Sequence, residues 1–164
     1  MATPLSVNTA AHRYSVNWSS AAVAGIVATL VMTALLYMAN AVGMVHMDMV
    51  KTLGTMFVAP GAAAYVVGGI MHLMMGIIFA EIYALVYQAT GLVPSWKTGL
   101  GFGFIHWIVA GIGLGLLPLV HPPMPMTPGF FLAHQGMMGI LGLLMLHLIY
   151  GAVVGAMYRP KETA

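Results

Sequence analysis

The stretch GMVHMDMV, residues 43–50, places three methionines, a histidine and one of only three acidic residues within eight positions. A second stretch, HPPMPMTPGFFLAHQGMM at 121–138, adds more of both sulfur and imidazole. Thioether and imidazole are soft, uncharged donors that suit Cu(I), an ion that accepts few ligands. The copper candidates are His46, Met47, Met49, His121, Met124, Met126 and His134. His134 and Met138 stand i, i+4 and can share a helical face. Pro122, Pro123, Pro125 and Pro128 stiffen the second stretch and remove backbone donors, so side chains dominate its chemistry. A plainer account stands beside this one. Met is a flexible apolar filler, and Met32, Met38, Met71, Met74, Met75 and Met145 lie in apolar runs, so the chain is Met-rich throughout.

A different chemistry is offered by His72 and His147. They are 75 residues apart, as are His46 and His121. At that offset HLMMGIIFAEIY aligns with HLIYGAVVGAMY, sharing H-L-x-x-G and a later Tyr. This pattern is expected of a parallel 2+2 duplication about an axis along the membrane normal. It puts His72 and His147 at equivalent depths, each with a glycine one turn later (Gly76, Gly151), where a backbone or a flat ligand can approach closely. Two such histidines could supply the axial ligands of a b-type haem. The alternative is a pair of packed, hydrogen-bonded core histidines.

Glu81 and His106 form a third candidate. They are nearly equidistant from the short connection GLVPSW, so an antiparallel hairpin brings them to similar depth. A carboxylate inside a membrane is costly, and a partner offsets that cost. The pair is expected to act as a structural clasp or, alternatively, a proton relay in a small proton-coupled carrier. Thr29, Thr33 and Tyr37 follow at i, i+4 and are expected to bond neighbouring helices. No catalytic residue emerges. Ser6, Ser15, Ser19, Ser20 and Ser95 lie outside or at the edge of apolar runs, and H-E-x-x-H, a phosphate-binding Gly loop and a carboxylate pair are all missing from the sequence. The chain reads as non-enzymatic.

What must position these residues follows from composition. Of 164 residues, 61% are hydrophobic and 5% charged, with a mean hydropathy of +0.97. Soluble domains carry about 25% charged residues, so the lipid bilayer is the expected surrounding. Five Lys and Arg against three Asp and Glu are too few for a nucleic-acid face, and the lack of Cys excludes disulfides, thiolate sites and haem attached through Cys. Four apolar runs, 20–42, 63–88, 99–120 and 135–157, are each long enough to span a bilayer as a helix. Helices satisfy every backbone group internally, and no run alternates with the period of a barrel strand. The fold expected is an all-α bundle of four transmembrane helices in a single domain. MANA at 38–41 looks like a leader cleavage site, but the run before it is long for a leader and is kept as a span. Arg13, Lys97, Arg159 and Lys161 flank one side and Lys51 the other. Both termini are therefore expected in the cytoplasm, the sulfur-rich loops emerging together outside. Recurring small residues, including Gly99 with Gly103 and Gly111 with Gly115, are expected at close helix contacts.

The segments AGIVATLVMTAL, MDMVKTLGTM, HLMMGIIFAEIYALVY, GFGFIHWIVAG and HLIYGAVVGAMY together touch all four runs. In them the chain resembles an uncharacterised family of small bacterial four-helix membrane proteins. The resemblance implies the fold and a location in the bacterial inner membrane, and carries no catalytic residue. The function expected is a non-enzymatic accessory subunit of a larger membrane assembly, respiratory or metal-handling, or a homo-oligomer. The alternatives are a copper or b-haem protein in metal handling or electron transfer, and the small carrier.

Overall fold

A computed structural model describes residues 14–121 and 127–162. Its helices are α1 (Trp18–Ala41), a short α2 (Met49–Thr55), α3 (Ala62–Thr90), α4 (Trp96–Leu116) and α5 (Gly136–Met157). A 3-10 turn, Leu117–Leu119, prolongs α4, and another, Phe130–Gln135, leads into α5. Four helices are long and apolar enough to cross a membrane, and they coincide with the four runs read from the sequence. Their starts and stops have local causes. The Asn17 side chain accepts the Ser20 N–H at 3.2 Å to open α1, and Ser95 with Thr98 forms a capping box on α4. Gly91, at φ +69°, takes the left-handed turn that ends α3. Helix α2 falls in a stretch expected to be loop; Asp48 starts it by accepting the Lys51 N–H at 2.9 Å.

Helix α1 packs on α3, α4 on α5, and α1 against α5 joins the two pairs. Each pair crosses through glycine. A Cβ on Gly25 would lie 2.6 Å from the Gly76 carbonyl oxygen, and one on Gly151 would lie 2.7 Å from the Gly103 backbone. Gly76 and Gly151 are related by the 75-residue offset, as are His72 and His147. The 75-residue offset thus places a crossing glycine on α3 and on α5, while their partners, Gly25 on α1 and Gly99 and Gly103 on α4, do not follow that offset. In lipid, where apolar burial gives helices no drive to associate, such close approach supplies the dispersion energy that holds them together.

Small residues continue this seam. Ala21, Ala24 and Ala28 of α1 and Ala80 and Ala84 of α3 form one core with Tyr83, Tyr87, Tyr150 and Tyr158. A second core, toward the long loops, contains Leu36, Val45, Leu114, Leu132, Leu143 and Leu146. The opposite face of α3 exposes Ile70, Met74, Ile78 and Ile82, one per turn, as a lipid-facing stripe. At one end of the bundle Tyr14–Ser15 (β1) pairs antiparallel with Lys161–Glu162 (β2), and the Arg159 N–H donates to Ser20 Oγ at 2.9 Å. At the other end the two long loops meet, through Gln135 on His46 and His121 on α2.

Candidate functional site

The connection between α3 and α4 is short, yet their backbones stay apart. Aromatic side chains hold the gap. Phe79 stacks on His106 with centroids 3.8 Å apart, Tyr83 meets Phe102 edge-on at 5.3 Å, and the Tyr87 hydroxyl lies 3.1 Å from Thr98 Oγ1. These contacts repeat every four residues on both helices, so one face of each carries them all. The register corrects the Glu81–His106 clasp. Phe79, two residues before Glu81, is the residue that meets His106; at about 100° per residue Glu81 points to another side of α3. Glu81 is half-buried and makes no ion pair with His106. Depth in the hairpin was inferred correctly to within a turn, but facing was not.

Toward the long loops the bundle interior opens into a cavity of about 310 Å³. His72, His106, His147, Thr29, Thr33 and Tyr150 contribute its polar atoms, and Met32, Met47, Met49 and Met75 line it among aliphatic side chains. Two lining residues, Met75 on α3 and Val109 on α4, are 40% and 50% exposed, which places a rim of the cavity on the outer surface between these helices.

The polar groups have defined roles. His147 is buried and donates Nδ1–H to the Leu143 carbonyl at 2.7 Å, which leaves Nε2 as its bare nitrogen. Its ring stands edge-on to that of His106, centroids 4.7 Å apart. His106 Nδ1 lies 3.4 Å from the Tyr83 hydroxyl. His72 Nδ1 is buried with no hydrogen-bond partner. Thr29 and Thr33 donate to the Gly25 and Thr29 carbonyls of their own helix, each at 2.7 Å, in place of the interhelical bonds expected of them. The bond from α5 to α3 comes from Tyr150, whose hydroxyl donates to the Gly76 carbonyl.

The loop residues proposed for copper go to separate places. Two side-chain amides grip the segment from both sides. Asn40 bonds the N–H and C=O of Met47, both at 2.9 Å, and Gln135 bonds those of His46 at 2.7 and 3.0 Å. So held, the segment alternates: Val45 and Met47 point inward and His46 outward. Met49 also lines the cavity. Asp48 is occupied by Tyr37 and Tyr65, whose hydroxyls donate to it at 2.9 and 2.8 Å. His121 is buried, its Nε2 3.1 Å from both Thr55 Oγ1 and the Thr52 carbonyl. His134 is exposed, its Nδ1 2.8 Å from the Thr127 carbonyl. Met124 and Met126 lie outside the described residues. Among the described residues no three His, Asp or Glu side chains converge to hold a metal ion.

A strained turn closes the loop end. Phe131 and Leu132 adopt φ of +55° and +64°, a conformation L-residues rarely take. Gly111 and Gly115, expected to seat another helix, instead leave room for the rings of Phe131 and Phe130. The seated rings hold the turn, and Leu132 lies buried over the cavity. Sequence reasoning missed Asn40, Gln135 and Tyr150. Each is a polar residue in or beside an apolar run, which was the available signal.

Two helix pairs, four apolar spans and an internal cavity define an all-α membrane protein. The chain belongs to a family of unknown function (DUF6789), matched over residues 16–163. No curated protein and no solved structure matches it.

Proposed function

We propose that this protein binds a membrane-dissolved small molecule in the cavity between its helix pairs, the ligand entering from the bilayer between α3 and α4. The observation that carries this is a cavity of about 310 Å³, the size of small-molecule pockets, whose rim reaches the lipid-facing surface at Met75 and Val109. Its lining is apolar with a few imidazoles and hydroxyls and contains no Lys, Arg, Asp or Glu, so an uncharged amphiphile fits it. Such a role is non-enzymatic and compatible with service as a subunit of a larger assembly. The exposed apolar helix faces support that accessory role less specifically, because lipid alone is enough to cover such faces.

Gly113 supplies the test. It lines the cavity, and a Cβ there meets nothing within 4 Å. Gly113→Phe therefore fills the space without striking backbone. Nanodisc-embedded protein is titrated with a decyl-substituted aromatic probe. Saturable one-to-one binding that Gly113→Phe abolishes is the expected result; no saturable binding to the unaltered protein overturns the proposal.

A second reading is a b-type haem. The His147 hydrogen bond to Leu143 is the support an axial ligand uses, and His72 is its counterpart in the duplication. Haem-replete expression would then yield a Soret band that His147→Ala removes, and a preparation without that band ends this reading. For topology we propose the inner membrane with both termini in the cytoplasm, from the basic residues at the β1–β2 end. Impermeant thiol reagent should label cysteines placed at His46 and Ala133 from the periplasm and one placed at Lys97 only after lysis.

A further inference from the structure

We infer that the molecule received by this cavity presents a hydroxyl donor on a compact ring, as a phenol or hydroquinone does, with an apolar tail left in the bilayer. The inference rests on the lateral-entry cavity proposed above and names its ligand class. It comes from following the hydrogens. Thr29 and Thr33 have donated theirs to the Gly25 and Thr29 carbonyls. Tyr150 has donated to Gly76, and His147 Nδ1–H to Leu143. Four of the six polar side chains around the cavity therefore have their protons committed to backbone oxygens. What they keep is lone pairs; with Thr29 and Tyr150 only 2% and 1% exposed, the ones within a ligand's reach are the Thr33 hydroxyl oxygen and the bare Nε2 of His147. His72 also lines the cavity, but its Nδ1 is buried and offers a ligand nothing.

An apolar lining whose few polar atoms are mostly acceptors selects a donor. A quinone, ketone or ester would set its oxygen against these lone pairs and could draw only on the N–H of His72 or His106. A hydroxyl on an aromatic ring supplies the missing hydrogen, and its flat body suits aliphatic and thioether walls. Lone pairs and thioethers would equally attract a soft cation. Size separates the two, since about 310 Å³ far exceeds an ion and accommodates a ring with the start of a chain.

Three probes of one shape test this: decylhydroquinone, its dimethyl ether and decylbenzoquinone, each titrated anaerobically into nanodisc-embedded protein. The hydroquinone should bind about tenfold or more tightly than either analogue, because only it satisfies the acceptors. His147→Leu should erase most of that preference, and Thr33→Val, which removes one hydroxyl oxygen without changing the side chain's shape, should reduce it in part. Equal affinity for hydroquinone and ether overturns the hydroxyl inference and leaves the cavity proposal standing. Failure of all three probes overturns both. Binding of Cu(I) that displaces the hydroquinone, together with equal affinity for the three rings, assigns the lone pairs to a cation and also overturns the inference.

Discussion

His72 and His147 stand at matching places on α3 and α5, yet the two halves of the molecule treat them differently. His147 is 4% exposed, bonded to its own helix and set against His106, while the backbone of α4 presses on it through Gly103. His72 is only half-buried, and its Nδ1 has no partner. The α4–α5 pair is packed backbone to backbone over about two turns, at Gly99, Gly103, Gly151 and Gly155. The α1–α3 pair has one such crossing, at Gly25 and Gly76. The two helix pairs thus differ: one closes into a scaffold, and the other holds its imidazole less tightly beside a space.

If the α4–α5 seam is the scaffold, its loss should be the most damaging change. Gly151→Leu drives a side chain into the Gly99 and Gly103 backbone, which cannot yield, and should cost more than about 4 kcal/mol and abolish recovery of folded protein. Gly69→Leu, where a Cβ meets nothing, is the matched control and should be recovered normally. Next, His147→Ala should destabilise by about 2–4 kcal/mol, by removing the ring's bond to the Leu143 carbonyl and leaving a void beside His106, and His72→Ala by under about 1 kcal/mol. Reversible unfolding in mixed micelles measures both, and a larger loss at His72 would reverse the assignment of scaffold and site.

Smaller effects sharpen the same contrast. Asn40→Ala removes the grip on Met47 and should cost about 1–3 kcal/mol, with faster proteolysis within residues 43–48 as the readout. Glu81→Gln should change stability by less than about 0.5 kcal/mol, because the carboxylate holds no partner in the bundle. A loss of 2 kcal/mol or more there would restore the clasp with His106.

Much of the fold was readable from local pattern. The four runs, their approximate ends and the equivalence of Gly76 with Gly151 and of His72 with His147 were all visible, because hydropathy and spacing are properties of nearby residues. Site chemistry was partly visible: His72 and His147 were singled out as one pair and His106 as the partner of Glu81, two separate purposes. That they line one cavity was not visible, since it depends on which way each helix is turned.

The amino-acid sequence by itself determined that the chain forms apolar helices in two related pairs, because lipid permits few other ways to satisfy the backbone and small residues mark where helices touch. Only the tertiary structure decided that Phe79 and not Glu81 meets His106, that Met47 turns inward while His46 turns out, and that α3 and α4 stay apart around a cavity. Those outcomes hinge on helix rotation and on long-range bonds such as Gln135 to His46, which join residues 89 positions apart and leave no local trace.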